Sequence, residues 1–198
     1  MKLLKIFPSN INSRYVEEAV NALKQGETII YPTDTFYALG CDALNNRAIE
    51  AVCRYKDINP AKQTLSVVCA DISQAAEYAR IDNRAFSMLK HNLPGPFTFI
   101  LPASTTLPKL FKGRKTVGIR IPDNPISRAL AEELGHPILS ATACTEPDAE
   151  AEQVAMMWSG RSKLIIDGGA GANEASTIVD LTDSSEPQII RHGRGKFE

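Results

Sequence analysis

Apolar residues along this chain recur with two spacings. Short apolar runs stopped by Pro, Gly or Asp predict strands, and longer stretches with apolar residues three and four apart predict helices. Strands are expected at Leu3–Phe7, Thr28–Tyr31, Leu65–Cys69, Phe97–Leu101, Thr116–Ile121, Ile138–Ala141, Lys163–Asp167, Ser176–Leu181 and Gln188–Arg191. Ser13 is expected to cap a helix over Arg14–Lys24 that turns Val16, Ala19, Val20 and Leu23 to one face. Further helices are expected at Arg47–Tyr55, Asp71–Tyr78 and Asn83–Lys90.

The clearest helix signal starts at Asp123 or Asn124 as cap, with Pro125 at the first helical position and Gly135 as the stop. Cys144–Gln153 is acidic and reads as exposed, with a helix able to run on to Trp158. Strands and helices alternate without strict regularity, which predicts an α/β fold with a mixed sheet and helices on its faces.

Composition narrows the class. With 198 residues, 43% of them hydrophobic, the chain has apolar content for one domain with a single core. A formal net charge of −1 gives no bulk attraction to nucleic acid, so such binding would need a local basic patch. Cys41, Cys53, Cys69 and Cys144 form no CxxC pair and read as buried reduced thiols. MKLLKIFPSN lacks a signal-peptide core and no apolar stretch approaches a membrane span, so a soluble cytoplasmic protein is expected.

The candidate chemistry centres on Thr28–Cys41. There a strand ends at Pro32 and is followed at once by Thr33, Asp34, Thr35 and Tyr37. Three hydroxyls and a carboxylate just past a strand end suit a ligand crevice. They also suit a turn that satisfies its own backbone. Other chemistries find no support. The GGAG at Gly168 is not followed by Lys-Ser/Thr, His91, His136 and His192 have no partner at metal-ligand spacing, and no GxSxG elbow occurs. Hydroxyls and cations at strand ends remain.

Seven segments carry a resemblance when taken in order. They are Pro32-Thr33-Asp34-Thr35 with Tyr37, Lys56 through Lys62, Leu93–Thr98, Val117–Pro122, Leu139–Ala143, Ser176–Asp180 and Ile190–Gly193. Together they resemble the YrdC/YciO family, related to threonylcarbamoyl-AMP synthases, from about Gly26 to Gly193. The resemblance implies a twisted open mixed sheet flanked by helices, with a large basic cleft. It also implies joining of L-threonine, bicarbonate or CO2, and ATP into threonylcarbamoyl-AMP for tRNA modification, with Mg²⁺ arriving on the nucleotide and no protein-bound metal site. Other implied readings are a tRNA or double-stranded RNA binder using the same cleft, and an enzyme that hydrolyses a threonylcarbamoyl product. The basic run Lys109, Lys112, Arg114 and Lys115 and the tail Arg191, Arg194 and Lys196 favour the RNA reading.

By that resemblance Thr33, Thr35, Tyr37 and Arg120 contact the amino acid, with Arg120 gripping its carboxylate. Lys56, Lys62, Ser140, Thr142, Ser176 and Arg191 lie along the nucleotide, and Lys56 and Arg120 are the catalytic cations. Lys62 and Thr98 read equally as ligand contacts or as ordinary turn and strand residues. Two positions depart from the synthase motifs. Ile58 stands where K-x-R has its arginine, and Cys144 stands where S-x-N, matched at Thr142, has its asparagine. Both departures follow the YciO branch. Arg54, two residues before Lys56, is a candidate to supply the missing charge.

Overall fold

A computed structural model of the chain describes residues 1–111, 113 and 115–197. The strands are β1 (Lys2–Lys5), β2 (Ile29–Tyr31), β3 (Ala38–Asp42), β4 (Ser66–Val68), β5 (Phe97–Pro102), β6 (Thr116–Arg120), β7 (Ile138–Thr142), β8 (Leu164–Asp167), β9 (Thr177–Asp180) and β10 (Gln188–Arg191). Among the described residues they form one ten-stranded open sheet in the order β1-β8-β2-β3-β7-β4-β6-β5-β9-β10. Pairing is parallel for β1–β8, β8–β2, β4–β6 and β5–β9 and antiparallel elsewhere, so the sheet is mixed. The helices are α1 (Ser13–Lys24), α2 (Asn46–Tyr55), α3 (Ile72–Tyr78), α4 (Asn83–Asn92), α5 (Pro125–Leu134) and α6 (Ala151–Met157). Among the described residues no helix is long and apolar enough to cross a membrane.

Side-chain alternation along the strands sorts the core into two layers. Ile29, Tyr31, Val68, Ile138, Leu164 and Ile166 face α1 and α5, while Ile30, Val67, Leu139, Ile165, Phe99 and Ile119 face a larger apolar layer on the opposite side. α1 and α5 pack on each other and supply Val20, Leu23, Leu130 and Leu134 to the first layer. The second layer takes residues from α2, α3, α4 and α6.

Capping accounts for most helix starts. Asn124 accepts from the N–H groups of Ile126 and Ser127 (3.0 and 3.3 Å), and Gly135, at φ +80°, ends α5 in the left-handed region. α1 starts one residue earlier than expected because Asn12, not Ser13, supplies the capping oxygen, 3.1 Å from the Arg14 N–H. The segment after Pro32 also differs from expectation. Instead of remaining a turn, the chain re-enters the sheet as β3, antiparallel to both β2 and β7. Cys144 through Gln153 is mostly exposed, as expected, and is anchored by buried Cys144, Ala149 and Ala151.

Candidate functional site

The face that carries α1 and α5 is left open further along the sheet, and there the inward positions change from apolar to small and polar. Gly40, Ser140, Ser66 and Gly118 are direct cross-strand partners in one row running over β3, β7, β4 and β6. Small size is required in this floor. A Cβ on Gly118 would sit 2.5 Å from Ser66 Oγ, and one on Gly40 would sit 2.6 Å from the Tyr31 ring. That ring lies over Gly40, and its hydroxyl donates to Ser140 Oγ at 3.0 Å. The floor opens into a trough of about 280 Å³.

Lys56, Arg120, Ser140, Thr142, Ser176 and Arg191 all line this trough, joined by Ser66, Thr98 and Ile58. Its lining cations are Lys56, Arg120 and Arg191, and no carboxylate is among the described lining residues. Lys56 caps α2, with its ammonium 5.6 Å from the centroid of the Trp158 ring, a cation–π contact. Trp158 is held in turn by donating its indole N–H to the Ala143 carbonyl at 3.0 Å. Arg191 grips Ser176 by donating to its carbonyl oxygen (2.8 and 3.1 Å) and to its hydroxyl (3.1 Å), which sits 2.9 Å from Thr98 Oγ1. Partial burial of its head group and the nearby charge of Arg120 hold the Arg191 guanidinium below its ordinary pKa.

Arg120 is the hub. Its Nη2 donates to Asp34 Oδ1 at 3.0 Å and to Thr35 Oγ1 at 2.9 Å, and the Asp34 and Arg120 side chains are only 8% and 11% exposed. Asp34 Oδ2 accepts the Asp123 N–H at 2.9 Å, and the Asp34 carbonyl accepts from Arg194 at 3.1 Å. Thr33 donates to the Phe36 carbonyl (2.8 Å), which fixes the direction of the remaining bond: Thr35 donates to Thr33 over 3.1 Å. A directed chain therefore runs from Arg120 through Thr35 and Thr33 to the backbone. Thr33 and Asp34 also border an adjoining cavity of about 620 Å³ with Asp123, Asp148 and Arg194.

Of the predicted site residues, Thr33, Thr35, Tyr37 and Lys62 are not among the trough residues. The Tyr37 ring is packed in the core at 1% exposure, and its hydroxyl donates to the Gly169 carbonyl at 2.6 Å while accepting the Gly168 N–H at 3.3 Å. Lys62 lies on the exposed turn after α2. Arg54 does not replace the missing arginine. It is exposed, with its guanidinium 5.6 Å from the Tyr55 ring, and is not a trough residue, whereas Ile58 is. Cys144 is buried at 5% exposure in the apolar layer, away from the trough lining. Of the basic run, Lys112 and Arg114 lie outside the described residues.

Reading the sequence alone missed Asp34 as the partner of Arg120, the Ser66 and Gly118 floor, and Trp158. The available signal was Ser66 and Gly118, small residues inside otherwise apolar strands.

Burial pushes the phenols of Tyr31 and Tyr37 up from 10.0 to about 12, against the hydrogen bonds each makes. In the unfolded chain both lose their protons nearer the ordinary value, so between about pH 10 and 12 the folded state binds more protons. Stability is therefore present below that window and falls as pH rises through it, by up to about 2–3 kcal/mol per tyrosine. Urea midpoints measured below and within the window are expected to show the drop, and Tyr31→Phe is expected to remove its share.

An open mixed sheet flanked by helices, with a polar trough lined by three cations, defines an α/β protein. A family model described as Sua5/YciO/YrdC, telomere recombination, matches residues 21–193, and the chain belongs to that family. YciO of Escherichia coli strain K12 is 37% identical over 196 residues, covering 96% of this chain and 94% of that protein. The crystal structure of E. coli YciO matches with a TM-score of 0.90 over 99% of this chain and 98% of that one, at 36% identity. The threonylcarbamoyl-AMP synthase of Vibrio vulnificus strain YJ016 is 31% identical over 185 residues, covering 90% of this chain and 98% of that one. The crystal structure of P. abyssi Sua5 complexed with L-threonine matches with a TM-score of 0.88 at 29% identity, over 98% of this chain and 58% of the longer Sua5 chain.

Proposed function

We propose that the trough binds ATP and L-threonine and that the protein catalyses synthesis of threonylcarbamoyl-AMP, feeding tRNA modification. The observation that carries this reading is the convergence of Lys56, Arg120, Ser140, Thr142, Ser176 and Arg191, drawn from distant parts of the sequence, on one cavity. A P. abyssi relative binds L-threonine, and relatives at 31–34% identity bear the name threonylcarbamoyl-AMP synthase.

In this reading the threonine amine adds to CO2, releasing a proton and forming a carbamate. A carbamate oxygen then attacks the α-phosphorus of ATP and pyrophosphate leaves. The protein's share is positioning and charge neutralisation. Lys56 and Arg191 take phosphate oxygens, and Ser140, Thr142 and Ser176 bond the nucleotide. Arg120, held in place by Asp34 and Thr35, orients the threonine carboxylate, and Thr33 braces Thr35 from behind. Tyr37 acts at one remove, by fixing the Gly168–Gly169 turn. With no carboxylate among the described trough residues, a Mg²⁺ ion would ride on the phosphates.

Incubation with ATP, Mg²⁺, L-threonine and labelled bicarbonate is expected to give threonine-dependent pyrophosphate release and a labelled adenylate. ATP turnover that is the same with and without threonine, and no labelled adenylate, would overturn the synthase reading.

A further inference from the structure

A second cavity, of about 790 Å³, lies outside the trough, where α3, α4 and α5 meet beyond the carboxyl ends of the parallel neighbours β4 and β6. Its volume falls in the range of sites for small organic molecules. Its walls are apolar, built from Ile72, Ile81, Phe86, Leu93 and Ile121. Phe86 is 47% exposed, a phenyl ring left uncovered at the cavity.

Two cations break the apolar lining. Arg128, on α5, is half-buried at the cavity, and its buried Nε has no acceptor. Lys90, near the end of α4, is solvent-exposed at the cavity rim and has no ion pair among the described residues. The cavity's one carboxylate, Asp71, is already engaged in capping α3, accepting the Gln74 N–H at 2.7 Å. Gln74 ties the wall together, donating to the Ala131 carbonyl on α5 at 3.0 Å and accepting the Ala70 N–H at 2.9 Å. A buried guanidinium N–H with no acceptor, at the edge of an apolar cavity, is a donor that a bound carboxylate satisfies.

We infer that this cavity is a binding site for an organic acid with an apolar body, its carboxylate on Arg128 and Lys90 and its hydrocarbon part against Ile72, Ile81 and Phe86. The carboxylate meets the unpaired charge, and the hydrocarbon covers surface that the fold leaves open.

Decanoate and decanol are the probes, titrated calorimetrically into the full chain. Decanoate is expected to bind and decanol to bind at least about tenfold more weakly, because the alcohol brings no charge. Arg128→Gln is expected to weaken decanoate about tenfold and leave decanol unchanged. Phe86→Glu, at a half-exposed position that tolerates charge, is expected to abolish decanoate binding with no loss of thermal stability. Equal binding of the two probes, insensitivity of decanoate to both substitutions, or no binding of decanoate would each overturn the inference.

Discussion

Arg120→Met is expected to lower threonine-dependent pyrophosphate release by about 10²–10³ and to destabilise the fold in the same stroke. Both effects trace to the pair with Asp34, whose members are 11% and 8% exposed. Removing the guanidinium leaves a nearly buried carboxylate without its counter-charge, a loss of about 3–5 kcal/mol in pairs of this kind. The two effects separate on a second substitution. Asp34→Asn combined with Arg120→Met removes both charges, so urea denaturation is expected to show most of the stability regained, while pyrophosphate release stays low. Arg120→Lys keeps the charge but replaces a planar fork with a single ammonium, which cannot hold Asp34 and Thr35 and still present a donor to the trough. It is expected to keep more stability than activity. Turnover unchanged in Arg120→Met would remove Arg120 from the reaction.

Local chemistry made much of this architecture readable from the sequence. The Asn124-Pro125 start and Gly135 stop of α5 depend on cap geometry within a few residues, and they stand where expected. The same holds for the end of β2 at Pro32. β3 was not readable, because Ala38–Asp42 is a strand through its partners on β2 and β7, not through its own pattern. The site divides in the same way. Lys56, Arg120 and Thr142 were singled out by the family resemblance of their segments, and they line the same trough. Gly40, Ser66, Ser140 and Gly118 become a floor only once four strands are in register, a long-range fact that no single segment contains. Tyr37 was misplaced by the same alternation. Ala38 faces the α1 layer, so its neighbour at 37 is sent through the sheet to the opposite core, where the hydroxyl braces the Gly168–Gly169 turn.

Ile58→Arg is expected to raise pyrophosphate release by about 10², since it restores a guanidinium where the synthase motif has one. The position can accept it. The Ile58 N–H is anchored to the Cys53 carbonyl at 2.8 Å, so the backbone is fixed, while the side chain lines the trough two residues beyond Lys56 and is only partly buried. An arginine stem can cover the same apolar surface and leave its charged head in the trough. Calorimetry is expected to show tighter ATP binding with a steeper salt dependence, as an added phosphate contact requires. The departure at Cys144 offers no equivalent route. Its side chain belongs to the apolar layer, 5% exposed, and an asparagine there would bury an amide without bringing it to the trough lining. The two departures are thus unequal: one alters the charge facing the ligand, and the other alters the packing behind it. Ile58→Arg with unchanged turnover and unchanged ATP affinity would mean that charge at this position does not limit the reaction.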